Sequence, residues 1–320
     1  MMRKAVTVTK WVSVSITGLI VVTLAAVGFL LFTNNGLNTI IWGAEKALPA
    51  LKVQQANGAL FPRFSLQGVE FKDESLGVDF SAKKLTLAID HRCFLSPAVC
   101  IDELSSDELR LVLSDVATSP EPESESSDPV TQVSTPLPIA VSKLVLTNVE
   151  LDIYGTQVEW QTFTSGASFE GDVATLTTTL LENSSVTLAE SEGESAAESI
   201  QPEQENPESI QLPEILIPLE VVIEQIDINH FTLQSETPFV VHHLGLAGRA
   251  KGHSVEIDKL ALDIDEVEAQ LQANVELEED YPISAQLEAT AKLEMVAGEK
   301  ITLALEGSVG ELALALTTQG

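Results

Sequence analysis

The chain has 320 residues, of which 44% are hydrophobic, and a formal net charge of -31. This length supplies ample apolar material for a core. The acidic balance excludes nucleic acid as an expected partner and disfavours a surface lying on anionic head groups, because phosphates would be repelled. We therefore expect lipid contacts to be made with acyl chains or through a membrane helix.

An uncharged apolar segment, WVSVSITGLIVVTLAAVGFLLF, occupies residues 11–32. As a helix it would be roughly 33 Å long, enough to cross about 30 Å of hydrocarbon. Basic residues precede it at Arg3, Lys4 and Lys10. The positive-inside rule then predicts a single-pass signal-anchor in a bacterial inner membrane, with residues 1–10 cytoplasmic and the body periplasmic. The alternative is a cleaved signal peptide, whose apolar region is usually shorter, about 7–15 residues.

A short amphipathic helix is predicted for residues 34–50, where Leu37, Ile40, Ile41 and Leu48 recur at helical spacing. Two roles stay open for this helix. It covers the first edge of a sheet, or it lies at the membrane surface beside the entrance of whatever the sheet encloses. In the second case the four named residues frame that entrance.

The remaining chain alternates apolar and polar residues with a period of two. Clear examples are AQLQANVEL at residues 269–277 and ISAQLEATAKL at residues 283–293, with a turn between them. This pattern predicts an antiparallel meander with one apolar face and one solvated face, and hence a mainly β fold.

An eight-residue pattern also recurs: apolar, any, apolar, any, any, apolar, any, apolar. Full copies lie at residues 64–71, 144–151 and 226–233, and the copy at residues 104–111 departs from the pattern only at Ser106. Two residues between the apolar pairs shift the phase of a strand once, as a bulge or a tight bend would. The recurrence predicts an internal repeat and an elongated, repetitive β architecture.

Two segments rich in Glu, Ser and Pro, residues 118–136 and 190–211, contain few large apolar residues. We predict disordered acidic linkers there, because such segments cannot compensate the entropy lost on ordering. They divide the body into three β units at residues 51–117, 137–189 and 212–320.

Cys93 and Cys100 are the two cysteines of the chain. In an oxidising compartment they predict one structural disulfide that closes a short loop. A zinc site would need two further ligands, and a redox motif would have C-x-x-C spacing.

Other chemistry is not indicated by the sequence. His242 and His243 are adjacent, and adjacent side chains in a regular strand point to opposite faces, so they would not chelate one ion. No acid pair converges with a base or nucleophile, and no Gly-rich phosphate loop is present. We expect no enzymatic activity, no catalytic residue, no metal and no cofactor.

Five sequence pieces carry a resemblance to a known family: TNNGLNTIIWGAEKALPAL after the membrane segment, then GALFPRFSLQGVEF, CFLSPAVCIDEL, STPLPIAVSKLVLTNVELDI and TFTSGASFEG. In this order they resemble the N-terminal part of the TamB family, inner-membrane-anchored AsmA-like proteins of Gram-negative bacteria. The family has its own closely spaced cysteine pair at this place. The resemblance implies a periplasmic β-taco, a sheet curled into a groove with an apolar interior, similar to eukaryotic bridge-like lipid-transfer proteins.

The resemblance also implies a function, the conduction of phospholipids between the inner and outer membranes in support of outer-membrane integrity. The alternative is an assembly factor for autotransporters and other outer-membrane proteins, acting by strand augmentation with the BamA-type barrel TamA. TamB-like chains are several times longer, and their C-terminal region is implicated in contacting TamA. We therefore expect this chain to be a fragment, with the TamA contacts in a region absent from it.

The candidate groove lining consists of aliphatic residues at apolar strand positions, since acyl chains need a continuous lining without charge. The set is Val149, Leu151, Ile153, Ile226, Ile228, Leu271, Val275, Leu287, Leu293, Leu303 and Leu305. The closed core of a β-sandwich is the ordinary interpretation of such a set. The resemblance and the repeated meander favour the open groove.

Overall fold

The computed structural model describes Leu19 and residues 21–90, 98–114, 133–189, 214–235, 237–294 and 296–319. Helices α1 (Val21–Phe32) and α2 (Asn34–Ala47) precede fifteen strands that belong to one sheet. The strands are β1 (Leu51–Gly58), β2 (Arg63–Asp73), β3 (Val78–Ile89), β4 (Val99–Leu113), β5 (Thr135–Ile153), β6 (Thr156–Gly171), β7 (Val173–Leu176), β8 (Thr179–Thr187), β9 (Ile217–Gln234), β10 (Phe239–Gly252), β11 (Ser254–Ile264), β12 (Val267–Glu276), β13 (Ile283–Ala291), β14 (Lys300–Gly307) and β15 (Leu312–Gln319). The predicted mainly β fold with a large antiparallel sheet is confirmed.

The strands follow one another across the sheet in chain order, and most neighbours are antiparallel. Three pairs are parallel, namely β4 with β5, β7 with β9 and β8 with β9. Parallel neighbours cannot be joined by a tight turn, because the chain must first return along the strand. The acidic segments predicted as disordered linkers, residues 118–136 and 190–211, lie between β4 and β5 and between β8 and β9. Thr135 and Pro136 already belong to β5, and apart from residues 133–136 both segments lie outside the described residues.

The phase shift inside each eight-residue copy coincides with a residue in the left-handed backbone conformation. In every copy this is the fifth residue, namely Gly68 (φ 58°), Glu108 (φ 49°), Asn148 (φ 51°) and His230 (φ 57°). Strand β8 contains a further copy at residues 179–186, with Asn183 (φ 50°) at the same place. The left-handed residue turns two consecutive side chains away from the apolar face, after which the alternation resumes.

Through the pairing register, the left-handed residues of β2, β4, β5, β8 and β9 stand in line with one residue on each of β1, β3, β6 and β10. We call this line across the sheet the crease. Its residues, in strand order, are Gln54, Gly68, Lys83, Glu108, Asn148, Gln161, Asn183, His230 and His242. At Gly68 the missing side chain leaves room for Gln54, because a Cβ there would lie 2.3 Å from the present position of Cδ of Gln54.

Polar contacts join side chains along the crease on the solvated face of the sheet. Lys83 forms an ion pair with Glu108, and Nδ2 of Asn183 donates to Oε1 of Gln161 at 2.6 Å. The hydrogen bond that Lys83 donates to the Glu108 carboxylate raises the pKa of the Lys83 ammonium above its ordinary value. The crease is therefore polar on the solvated face of the sheet. On the opposite face, apolar side chains stand on the strands both before and after the crease.

Strands β12 to β15 have no such interruption and pair without a register shift. Their apolar face contains a row of directly opposed leucines, one from each strand: Leu271, Leu287, Leu303 and Leu316. Cross-strand apolar pairs of this kind are the units that stabilise a sheet face.

The two helices meet at an angle of 87° and are held against the first hairpin. Oγ1 of Thr33 caps α2 by accepting from the Gly36 amide at 2.9 Å. The amide of Phe61, in the β1–β2 turn, donates to the Leu31 carbonyl of α1 at 2.9 Å, and the Phe61 ring meets that of Phe32 edge-on at 5.4 Å. The position of α1 is thus fixed relative to the start of the sheet.

The predicted membrane helix at residues 11–32 lies only partly within the described residues, which contain Leu19 and α1. Neither α1 nor α2 alone is long and apolar enough to cross a membrane, whereas the bent pair meets the requirements of length and composition. The apolar side chains of α1 are largely exposed, including Val22 and Leu24.

Candidate functional site

The apolar face of the sheet is covered by no second sheet among the described residues. Few of its side chains are fully buried as a result. The buried apolar residues of the described ranges, each at most 9% exposed, are Leu37, Ala56, Val69, Ala82, Ala88, Val149, Val241, Ala273 and Ala285. The other apolar residues of this face retain exposed surface on which an apolar ligand could pack.

Burial is concentrated beside the crease. Val69 follows Gly68, Val149 follows Asn148, and Ala82 and Val241 directly precede Lys83 and His242; these four apolar side chains are 1–7% exposed. A strand bends where its regular pairing is interrupted, and we infer that such a bend covers the neighbouring side chains of the apolar face. The crease therefore runs behind the most covered strip of the apolar face.

The lining residues predicted near the crease lie on β5 and β9. Val149 is almost completely buried, Leu151 is partly buried, and Ile153, at the end of β5, is 36% exposed. On β9, Ile226 and Ile228 are both partly buried. Exposure along β5 thus increases with distance from the crease.

The lining residues predicted in the C-terminal meander lie on β12, β13 and β14, with one exception. Leu271, Val275, Leu287, Leu303 and Leu305 are all partly buried. The exception is Leu293, which follows the end of β13 and is 53% exposed in a turn. The structure therefore brings these five residues together on three neighbouring strands, β12 to β14, and places Leu293 outside them.

Hydroxyl groups also occupy apolar positions of this face, a feature that the aliphatic pattern missed. Ser106 and Ser184 stand at apolar places of their copies and are each 4% exposed. Oγ of both serines and Nε1 of Trp160, which is paired with Ser184, have no hydrogen-bond partner within the described part of the chain. In β8, Leu181 and Val186 keep two of the four apolar places of the eight-residue pattern, but Thr179 and Ser184 occupy the other two and obscure it.

The predicted entrance residues lie on α2, which packs on β1. Leu37 has no exposed surface, Ile40 and Ile41 are partly buried, and Leu48 is 52% exposed just after the helix. A direct contact supports the sheet-covering role of α2, because Oε1 of Glu45 accepts a hydrogen bond from the Val53 amide of β1 at 2.9 Å. A position at a membrane entrance stays a prediction.

The two histidines of the HH pair both lie on the solvated face, which differs from the expectation of opposite faces. His242 contacts Asp265 at 2.7 Å, and His243 contacts Asp227 at 3.2 Å. The reason is that the crease passes through β10 at His242 and turns two consecutive side chains outward. They pair with different carboxylates and do not converge.

Cys100 lies at the start of β4 and is not a free thiol. Cys93 lies outside the described residues, so the pairing of the two cysteines stays a prediction.

The charged residues of the sheet form ion pairs at solvated positions, such as Arg63 with Glu103 at 2.9 Å and Lys251 with Glu220 at 2.7 Å.

A single large sheet with a polar face and an uncovered aliphatic face defines a class of mainly β proteins suited to contact with apolar ligands. A family model for the N-terminal domain of TamB matches residues 23–320 of the chain. The chain therefore belongs to the TamB family, as its sequence pieces indicated. The family is bacterial and membrane-associated, and membership connects the chain with outer-membrane biogenesis and the translocation and assembly module.

Proposed function

We propose that the apolar face forms an open groove that conducts phospholipids between the inner and outer membranes, with the acyl chains on the aliphatic side chains and the crease along its floor. The helix at residues 11–32 anchors the chain in the inner membrane, with a cytoplasmic N-terminus and the sheet in the periplasm. The Cys93–Cys100 disulfide stabilises the first β unit. Lipid is carried without being transformed, so no catalytic group is needed.

The observation that carries the proposal is the partial exposure of the aliphatic face. In a closed sandwich, inward side chains from two sheets interdigitate and lose nearly all exposed surface. Here Leu151, Leu271, Leu287 and Leu303 keep exposed surface, and the charged side chains that form ion pairs stand at solvated positions. An uncharged lining with free apolar surface supports acyl-chain binding.

The helical elbow supports the membrane arrangement. If the helix proposed for residues 11–32 crosses the bilayer, the 87° bend between α1 and α2 lays α2 parallel to the membrane surface. The first hairpin is fixed to the end of α1 through Phe61, so the sheet begins at the membrane. Trp42 on α2 is 59% exposed and Lys46 lies 4.9 Å from its ring, a combination that suits the head-group region.

In-cell photo-crosslinking tests the proposal with matched neighbouring positions. A photoreactive amino acid is placed at Leu151 or Leu287 on the apolar face, and at Asp152 or Glu288 on the solvated face as controls. We expect phospholipid on the purified protein from the first pair only, because adjacent strand residues point to opposite faces. No lipid at any of the four positions, or equal labelling at all four, would overturn the groove.

A second function, assembly of outer-membrane proteins by strand augmentation, is supported by membership of the TamB family. In the crosslinking experiment this function predicts protein adducts and no lipid adducts at Leu151 or Leu287.

A further inference from the structure

We propose that Glu214, His253 and Glu278 form a zinc site at the strand-end rim of the sheet, where the chain enters β9. These residues are far apart in sequence, and neither the repeated pattern nor the lipid groove involves them. Their ligand atoms, one from each side chain, all lie within 4.8 Å of one another. The site is separate from the apolar face.

Backbone hydrogen bonds assemble the three segments. The Ile215 amide donates to the Leu277 carbonyl at 3.0 Å, and the Leu277 amide donates to the His253 carbonyl at 2.6 Å. The residues before β9, the β10–β11 turn and the end of β12 are thereby held side by side. The side chains of Glu214, His253 and Glu278 stand next to these backbone bonds, which bring them close together.

The histidine is oriented as a metal ligand. Nδ1 of His253 lies 2.9 Å from the Ile215 carbonyl oxygen, and because a carbonyl can only accept, Nδ1 carries the hydrogen. In the neutral ring this leaves the Nε2 lone pair facing the carboxylates. A ring held through Nδ1–H to a backbone carbonyl is the usual support for a histidine that binds metal through Nε2.

The spacing of the His253 and Glu214 ligand atoms suits a tetrahedral ion. Nε2 of His253 lies 3.4 Å from Oε1 of Glu214. Two ligands at about 2.0–2.1 Å from a tetrahedral zinc are roughly 3.3 Å apart. A lone pair and a carboxylate oxygen at this distance repel each other unless a cation lies between them or the ring is protonated.

The charges and the donor set point to the same class of ion. Within the described residues, neither Glu214 nor Glu278 forms an ion pair with a lysine or arginine. One imidazole nitrogen and two carboxylates suit zinc among the divalent ions, whereas calcium and magnesium prefer oxygen ligands alone. Three protein ligands leave a fourth position for water. The ion would join the end of the acidic connection to the sheet.

Zinc titration of the full chain in detergent, followed by calorimetry and X-ray absorption, tests the site. The titration is made in excess magnesium, which occupies the acidic segments that would otherwise bind zinc as they bind any divalent cation. We expect one zinc per chain and an absorption spectrum with one imidazole nitrogen. The variant His253→Asn retains a donor in the place of Nδ1–H but lacks Nε2, so its zinc affinity should fall about tenfold or more, as even the loss of a supporting partner typically weakens metal affinity 10–100-fold.

Two further variants make the outcome decisive. Glu278→Gln changes only an exposed side chain and should also weaken zinc binding, while His242→Gln, which removes a histidine paired with a single carboxylate, should leave it unchanged. Equal zinc affinity in the native chain and in His253→Asn would overturn the site and leave an imidazolium–glutamate ion pair. A spectrum with oxygen ligands alone would overturn it as well.

Discussion

Strands β2 to β10 and strands β12 to β15 form the same apolar face in two different ways. In the first group the alternation is interrupted at the crease, and its best-buried side chains, such as Val69 and Val149, stand beside the interruption. In the second group the alternation is regular, leucines oppose leucines, and the buried apolar residues are the small Ala273 and Ala285. In this sheet without a second layer, valines are thus buried beside the crease, whereas the leucines of the regular strands β12 to β14 keep exposed surface.

The largest expected difference between the two regions concerns a buried charge. Val149→Asp places a carboxylate where only 1% of the residue is exposed, and we expect a loss of about 4 kcal/mol or more in the free energy of unfolding. Leu287→Asp, in the regular meander, should cost about 1–2 kcal/mol because the leucine is only partly buried. Urea unfolding followed by circular dichroism measures both.

The same pair of variants separates folding from transport. Leu287→Asp should fold and yet abolish lipid crosslinking from a probe at Leu303, the neighbouring residue of its row, because a charge interrupts the lining. If Val149→Asp and Leu287→Asp destabilise the chain equally, the distinction between the two regions is wrong.

A medium effect is expected at the left-handed positions. Asn148→Val puts a β-branched residue at φ 51°, which should cost about 1–3 kcal/mol, whereas Asn148→Gly accepts this conformation. The matched control is Asn274→Val on β12, an exposed asparagine in a regular strand, where a change within about 0.5 kcal/mol is expected. Thermal unfolding of the three variants compares them, and similar losses for both valine substitutions would refute a special role of the crease.

The smallest effect concerns the ion pair of the crease. The hydrogen bond to Glu108 raises the pKa of Lys83, so its stabilising contribution is fully present below the ordinary lysine pKa and is lost as the pH rises through the higher value of the folded state. An NMR titration of the Lys83 side chain should show this elevation, and Glu108→Gln should lower the pKa again. An unchanged titration in Glu108→Gln would contradict the assigned cause.

Local patterns predicted much of the fold because each is a property of one strand. Alternation with period two predicted the meander, and the pair of residues inside each octet predicted an interruption that the left-handed residues now explain. The copy at residues 104–111 stays recognisable because only Ser106 departs from the pattern, whereas in β8 both Thr179 and Ser184 occupy apolar places, so the pattern does not predict the copy at residues 179–186. Leu293 was included among the strand residues because the alternation continues past Ala291, where the pairing ends.

The sequence by itself determined the mainly β class, the apolar N-terminal segment, the acidic connections and the family, since all four are written in composition, period and order of motifs. Only the tertiary structure decided that the acidic connections join parallel neighbours and that Lys83, Gln161 and His242 stand in line with left-handed residues of other strands. It also brought Glu214, His253 and Glu278 together. The physical reason is that register between strands depends on hydrogen bonds and side-chain pairs formed across long sequence separations, which no single strand contains.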